Sequence, residues 1–426
     1  MVIKRTWMPL VFCWLMHESR ALAQTLPRGI GVINLGTRNI WADAGYYDQF
    51  GQLKSLGSRL DVEFDAASMR TGKAGASLKK LYDNIAKYDT NSGTGQGSIG
   101  DELNLGSQRG IVKPTVSVNI VGIGFGISNK VTAFAGVPFI SAKNETDIEF
   151  SGTNNAAEIK AKLGDAAFDE LKAGLDQASQ LSKDTVLSEI TEKNRYKDIQ
   201  HWTYKGPGDA VVGIRTGKSA TLRGGQKYAL GIQAQVTLPT GPAYDPDSLT
   251  QIPLSQNTTS FGLVTDHRVT WTYFAAGGDV GADYALPYDR KQRVPEGSES
   301  VISIERKTIV HVQPGMALKG SLYSLLGNAT YRSQYRLGIN QKQATQFSGS
   351  LAGDYGALGR PTFKNEVFHE LELILTTVKI YKQRKFVAPF ILTLKGHDSL
   401  SGKNELRQKY IELTLILLFS TPMASG

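Results

Sequence analysis

The sequence predicts an all-β fold, a transmembrane antiparallel up-and-down β-barrel of about 12 strands (14 is the alternative), on three observations. An export signal opens the chain, several segments alternate apolar and polar residues over more than ten positions, and the connections between them alternate between short and long. Soluble sandwiches alternate too, but their strands run about five or six residues, whereas a tilted bilayer-crossing strand needs about nine to eleven.

The export signal sets the compartment. Lys4 and Arg5 form a basic region, and 7–16 is an apolar core of about ten residues, the length of a signal-peptide core and too short for a membrane span. Ala21-Leu22-Ala23 offers a small-x-small cleavage site, which makes 1–23 a signal peptide and starts the mature chain at Gln24. No cysteine follows that site, so a lipid anchor is not expected, and Cys13 lies inside the signal, leaving the mature chain without cysteine. A barrel closed by its own hydrogen-bond ladder needs no disulfide. No run of 18 apolar residues follows the signal, which excludes a helical inner-membrane protein. Removing Lys4, Arg5, Arg20 and Glu18 takes the formal charge from +9 to +7. In an exported chain that charge points to an aqueous lumen or to lipid phosphates, not to nucleic acid. The destination is the Gram-negative outer membrane. The expected partners are outer-membrane lipid, a small-molecule solute and, during biogenesis, the barrel assembly machinery.

The strands follow from period-two alternation. In 226–238, Tyr228, Leu230, Ile232, Ala234, Val236 and Leu238 share the lipid face. In 329–340 the lipid face is Ala329, Tyr331, Ser333, Tyr335, Leu337 and Ile339, and in the last strand it is Ile411, Leu413, Leu415, Leu417 and Phe419. Further strands are expected at 112–126, 130–149, 209–217, 259–274, 279–287, 300–319, 365–382 and 385–395, with a weaker one at 58–65. Short turns then fall at 127–129, 218–225, 275–278, 320–327 and 383–384. Long loops fall at 66–111, 150–208, 239–258, 288–299, 341–364 and 396–404. Short periplasmic turns and long outer loops place both termini on the periplasmic side.

Two stretches do not read as wall. In 157–194 the residues Ile159, Leu163, Ala167, Leu171, Leu175, Ala178 and Leu181 recur at helical spacing, so the outer loop 150–208 carries an amphipathic helix or helical hairpin. Residues 24–57 hold six glycines at 29, 31, 36, 45, 51 and 57, and are expected at the periplasmic mouth or as a plug in the lumen. The barrel occupies 58–420, with 421–426 as a tail and 91–100 as a Gly/Ser-rich loop.

Few motifs suggest chemistry. Gly122-Ile-Gly124-Phe-Gly126 imitates part of a nucleotide-binding loop without its spacing or a parallel-sheet context, and reads as small residues in a curved wall. His201, His267, His311, His369 and His397 show no metal-ligand spacing, so neither a metal nor a cofactor is expected. Asp266-His267 resembles part of a hydrolytic site, but no serine stands in a nucleophile motif, so the chain is not expected to be an enzyme. The informative charges are Arg215, Lys227, Arg332, Arg336, Glu370, Glu372, Lys395 and Glu412, all at inward positions. An Arg or Lys facing lipid would cost roughly 2–4 kcal/mol at mid-depth, so these face water or each other, as a stiffening ladder or as a selectivity constriction. Trp271, Tyr273, Tyr331, Tyr335, Tyr381 and Phe419 suit aromatic girdles at the two interfaces.

Gly206-Pro-Gly208-Asp209 leading into one strand, and Leu238-Pro239-Thr240-Gly241 ending the next, resemble the outer-membrane family linked to meta-pathway phenol degradation. The chain is more loosely similar to outer-membrane long-chain fatty-acid transporters. The resemblance covers roughly 200–420 and implies a barrel that passes small, often hydrophobic, molecules. Twelve to fourteen strands leave a narrow or occluded lumen, between the filled eight-strand barrel and the wide 16–18-strand channel. Selective passage of a small molecule is the function expected. A barrel-anchored adhesion protein and a barrel hydrolase are the alternatives.

Overall fold

The computed structural model describes residues 25–41, 45–92, 99–164, 167–193, 195–294, 306–328, 330–359, 362–385 and 387–420. The expected signal peptide 1–23, its expected cleavage site and the tail 421–426 lie outside the described residues. Among those described, twelve strands close one antiparallel barrel. They are β1 (Ile30–Trp41), β2 (Asn104–Ser128), β3 (Val131–Asn154), β4 (Ala210–Thr221), β5 (Lys227–Leu238) and β6 (Ser260–Thr270). The second half is β7 (Phe274–Ala285), β8 (Ala317–Gly327), β9 (Tyr331–Lys342), β10 (Lys364–Thr376), β11 (Phe390–Lys403) and β12 (Lys409–Ser420). Neighbours in the ring are neighbours in sequence, and β1 pairs with both β2 and β12, so the wall has no open edge. A closed ladder of this kind satisfies every wall amide without water.

Alternation sorts the faces. On β9, Tyr331, Tyr335, Leu337 and Ile339 are exposed while Gln334, Arg336 and Gly338 are buried. On β12, Ile411 and Leu413 are exposed while Glu412, Thr414 and Ile416 are buried. Charged side chains inside and bare Leu, Ile and Val outside are the arrangement of a barrel bathed in lipid. The eight steps from Tyr331 to Ile339, at about 3.3 Å each on a strand tilted by about 40°, span roughly 20 Å of hydrocarbon. Trp271, Tyr273, Tyr331 and Tyr381, with Phe419, gather toward the short-turn end. Phe139, Phe261 and Tyr284 are exposed nearer the long-loop end. The six aromatics named from sequence therefore do not divide between two girdles. Tyr335 lies between the levels.

Several boundaries differ from the sequence expectation. The segment 24–57 is not a plug: its residues Ile30–Trp41 form β1, paired in register from Ile30↔Ser420 to Trp41↔Lys409. Only Thr25–Gly29 sits at the short-turn mouth, where the Leu26 amide donates to Thr132 Oγ1 at 2.7 Å. Gly126 makes room for it, since a Cβ there would lie 2.1 Å from the Pro27 carbonyl oxygen. The weak strand at 58–65 is not wall but a four-residue strip, Val62–Asp65, beside the outer part of β2. The expected turns at 275–278 and 320–327 are wall. The glycines of 275–278 accommodate neighbours rather than a bend, as a Cβ on Gly277 would sit 2.6 Å from the Tyr323 ring. The expected strand 300–319 divides: Arg306–Gln313 joins Tyr288–Val294 and Gln346–Ser348 in a three-stranded sheet over the long-loop end, and β8 starts at Ala317. The strand expected to reach 382 stops at Thr376, because Thr377 Oγ1 donates to Ala388 O at 2.8 Å and Val378–Lys382 turns into helix.

β2 and β3, at 25 and 24 residues, run well beyond the other walls and carry a helical cap. It combines α1 (Ala66–Arg70), α2 (Ala76–Ser92), α3 (Ala156–Leu163), α4 (Asp169–Ser179) and α5 (Lys183–Ser188). Ile159, Leu163, Ala167, Leu171, Leu175 and Ala178 are buried in one cluster with Met69, Leu81 and Ile85 from the preceding long loop. That first loop, expected at 66–111, therefore contributes helices α1 and α2 to the cap. Asp65 caps α1, accepting from the Ser68 amide at 2.7 Å, and Asp169 and Glu170 face the positive end of α4.

Candidate functional site: the charge-paired lumen

Inward positions on nine strands meet in one ladder of opposite charges. Arg38 of β1 binds Glu412 of β12, with Nε donating to Oε2 at 2.6 Å. Lys395 of β11 stands between Glu412 and Glu370, with Nζ at 3.9 and 3.8 Å from their carboxylates. Arg336 of β9 reaches Glu370 of β10 at 3.4 Å and Asp279 of β7 at 2.7 Å. Ser321 of β8 donates to the same Asp279 oxygen at 2.5 Å. Beyond it the Arg336 guanidinium lies 5.2 Å from the Tyr323 ring, Tyr323 OH donates to Asp266 Oδ1 at 2.8 Å, and Arg215 of β4 approaches Asp266 at 3.5 Å. The cations Arg38, Lys395, Arg336 and Arg215 face the anions Glu412, Glu370, Asp279 and Asp266. All are nearly buried, with Arg38 and Glu412 at 2% and 1% exposure. Burial of unpaired charge at this depth is prohibitive, which is why the signs alternate.

The sequence-derived candidates divide. Arg215, Arg336, Glu370, Lys395 and Glu412 are in the ladder. Glu372 faces inward beside it, as Cα partner of both Gln334 and Lys395. Arg332 lies nearer the short-turn end, where its Nε donates to the Asn328 carbonyl at 2.9 Å. Lys227 is exposed at the first residue of β5 and belongs to the rim. Arg38, Asp266, Asp279 and Tyr323 were missed. Arg38 sat in the supposed plug and Asp279 opened a strand thought to begin after a turn, so neither was given an inward face. His397 was also missed. It is buried on the wall above Glu370, with Nδ1 at 3.3 Å from that carboxylate, and stacks on Tyr410 at 4.6 Å.

A loop narrows the lumen from one side. Residues 239–259 leave β5 and fold inward, where Ile252 and Leu254 pack on Val116, Val118, Ile120 and Ile140 of the inner wall. Asn144 Nδ2 donates to the Thr250 carbonyl at 2.9 Å. The two motifs that carried the family resemblance meet at its base. Thr240 Oγ1 accepts from the Ala210 amide at 2.8 Å and donates to Gly208 O at 2.7 Å. The Asp209 carboxylate, 1% exposed, accepts from the Gly241 amide at 2.9 Å, Ser255 Oγ at 2.7 Å and the Gln256 amide at 2.7 Å. One buried carboxylate thus pins both ends of the loop.

The open volume lies between this loop and the ladder. A chamber of about 1280 Å³, counted out to its mouth, is lined by Asp279, Lys319, Arg336, Glu370, Lys395 and Glu412 among others. It adjoins a vestibule of about 1160 Å³ under the three-stranded sheet, with which it shares Gln256, Ala285, Lys342 and Lys364. At the rim of the chamber, burial pushes the Glu405 carboxyl up to about 8, against the opposing pull of Lys364. Toward the short-turn end Leu26, Val32, Ile374, Ile391 and Ile416 form an apolar floor. Asp266 and His267 lie on opposite faces of β6: Asp266 points into the ladder, while His267 is outside, with Nδ1 2.7 Å from Tyr228 OH. They form no catalytic pair.

No protein-family model matches the chain, and no curated protein matches it. Among solved structures it is similar to an outer membrane channel from Pseudomonas putida F1, at 11% identity and a TM-score of 0.49, covering 93% of this chain and 98% of that one. It is also similar to the CymD monoaromatic hydrocarbon channel, at 9% identity and 0.30, covering 98% and 95%. A third is the Pseudomonas putida toluene transporter TodX, at 8% identity and 0.22, covering 94% and 93%.

Proposed function

We propose that the chain is a selective passage for small, largely hydrophobic molecules across a Gram-negative outer membrane, reached through its signal peptide. The observation that carries this reading is the layered lumen: an open vestibule and chamber, then a charge-neutral ladder, then an apolar floor, narrowed by an inward loop. An interior built only for rigidity has no use for an open chamber leading to the ladder, and a general porin has no use for an apolar cluster at the short-turn end of its lumen. The apolar inner face of β2 and β3 and the floor favour solutes with a hydrophobic part. The long-loop end, bearing the helical cap, faces outward by the rule of short periplasmic turns.

Planar-bilayer recordings and liposome swelling with a graded series of solutes test the proposal. Small unitary conductance, and swelling that falls off steeply with solute size, is the expected result. Verified folded barrel that neither conducts nor admits any solute would reject it and would leave an anchored surface protein as the better reading.

A further inference from the structure

The vestibule has a chemistry that the chamber beneath it lacks. Arg290, Lys342 and Lys364 line it, and none of the described residues that line it is acidic, whereas the chamber mixes both signs. Arg290 is held in an unusual way. Its guanidinium lies 4.1 Å from the Tyr244 ring centre and 5.6 Å from that of Phe347. Rings against the guanidinium fix its plane through cation–π attraction and leave its N–H edge for other partners. Nη1 approaches Tyr288 OH at only 3.4 Å, and the buried Nε has no hydrogen-bond partner among the described residues. Tyr288, Arg290 and Gln292 share the face of their strand that lines the vestibule. Leu254, Val312 and Leu358 line the same vestibule.

A planar fork of fixed N–H donors, with no carboxylate partner among the described residues, is the complement of a planar carboxylate. We propose that the vestibule binds a small organic anion, a carboxylate on an apolar or aromatic body, with Arg290 reading the charge. Lys342 and Lys364 add positive potential, Lys364 sharing its charge with Glu405. The inference rests on the passage reading and names the solute class that the passage receives. Below the vestibule the bound carboxylate meets Arg336 and Lys395, which already hold carboxylates, so it descends by exchanging partners rather than by losing them.

The test uses purified, folded full-length barrel and benzoate as probe, with benzyl alcohol as its neutral counterpart and inorganic phosphate as a plain anion. Calorimetry should show benzoate binding at least about tenfold tighter than benzyl alcohol. Arg290→Gln should weaken benzoate by about tenfold or more and leave benzyl alcohol unchanged, and Arg290→Lys should fall between. Equal binding of the two probes, or an Arg290→Gln barrel with unaltered benzoate affinity, overturns the proposal. Phosphate displacing benzoate at equal concentration overturns the role of the apolar body. If Arg290→Gln does not fold, the wild type decides, since benzoate binding that does not weaken from about 50 to about 500 mM NaCl refutes charge reading. A barrel that conducts but does not bind benzoate defeats this inference alone, and one that binds but does not conduct defeats the passage alone.

Discussion

Asp209 offers the sharpest test of the inward loop. Its carboxylate accepts three hydrogen bonds from both ends of the loop while almost completely buried. Bonds to a charged acceptor contribute about 1.5–3 kcal/mol each, and removing the acceptor leaves buried donors unsatisfied. The three share one group and are not additive, so Asp209→Ala should cost about 3–5 kcal/mol locally. At about 1.4 kcal/mol per decade, the docked-to-undocked ratio falls by roughly two to three and a half decades. The loop keeps its Asn144 bond and the contacts of Ile252 and Leu254, so the barrel itself survives. Single-channel recording should then show larger and noisier openings, and protease should cut within 242–255 of the folded variant. Asp209→Asn, which retains one carbonyl acceptor, should show about half the effect. Wild-type conductance, noise and protease resistance in a heat-modifiable Asp209→Ala barrel would refute the loop as the element that narrows the lumen.

Other consequences follow from the ladder, the mouth and the rim. Arg38→Met alone leaves Glu412 buried without its closest cation and should cost about 3–5 kcal/mol, whereas Arg38→Met with Glu412→Leu should recover most of it, as measured by heat-modifiable migration in urea. Arg336→Ala should lower folded yield in the same assay and Arg332→Ala should not, because Arg336 joins carboxylates on two strands, Asp279 of β7 and Glu370 of β10, whereas Arg332 Nε donates to a turn carbonyl. Gly126→Val should expel Thr25–Gly29 from the short-turn mouth and remove Leu26 from the floor, a loss of about 1.5–3 kcal/mol visible as new proteolysis near Leu26. The Glu405 carboxyl is raised from 4.5 to about 8, with burial and Glu366 raising it and Lys364 lowering it. The folded chain therefore holds that proton more tightly than the unfolded one. The stabilisation is complete below about pH 4.5 and is lost as pH rises toward 8. The thermal midpoint should fall across that window and Glu405→Gln should flatten the curve; parallel curves would refute the assignment.

What the sequence revealed, and what it hid, has a common physical origin. β5, β9 and β12 were legible because each sets an apolar lipid face against a polar lumen face. β1 was hidden because its two faces do not contrast. Val32 points inward into the apolar floor while Thr37 and Asn39 point outward, so alternation fades where the lumen is itself apolar. The glycines of β7 and β8 mimicked turns, since glycine marks a bend and a close approach equally well, and here Gly277 yields to Tyr323. The inward loop has no period to detect. Leu249, Ile252 and Leu254 are buried through tertiary contact, and Asp209 acquires its role only when Gly241 and Gln256 arrive beside it. The ladder was half visible, because residues on well-read strands could be assigned a face and their partners on misread strands could not.

The pairing of β1 with β12 also bears on how the barrel is made. These are the first and last strands of the wall, so the seam is the contact of longest sequence separation among the wall pairings and must form after translation of β12 is complete. Until then both edges of the growing sheet can pair with a wrong strand or with another chain. Backbone hydrogen bonding alone accepts many alignments, so the seam requires something that distinguishes them. Slippage by one residue would turn Glu412 toward lipid, and slippage by two would set Arg38 opposite Tyr410 or Thr414. Only one alignment brings Arg38 and Glu412 together, so their ion pair sets the closing register apart from its neighbours at the point where the ladder alone does not.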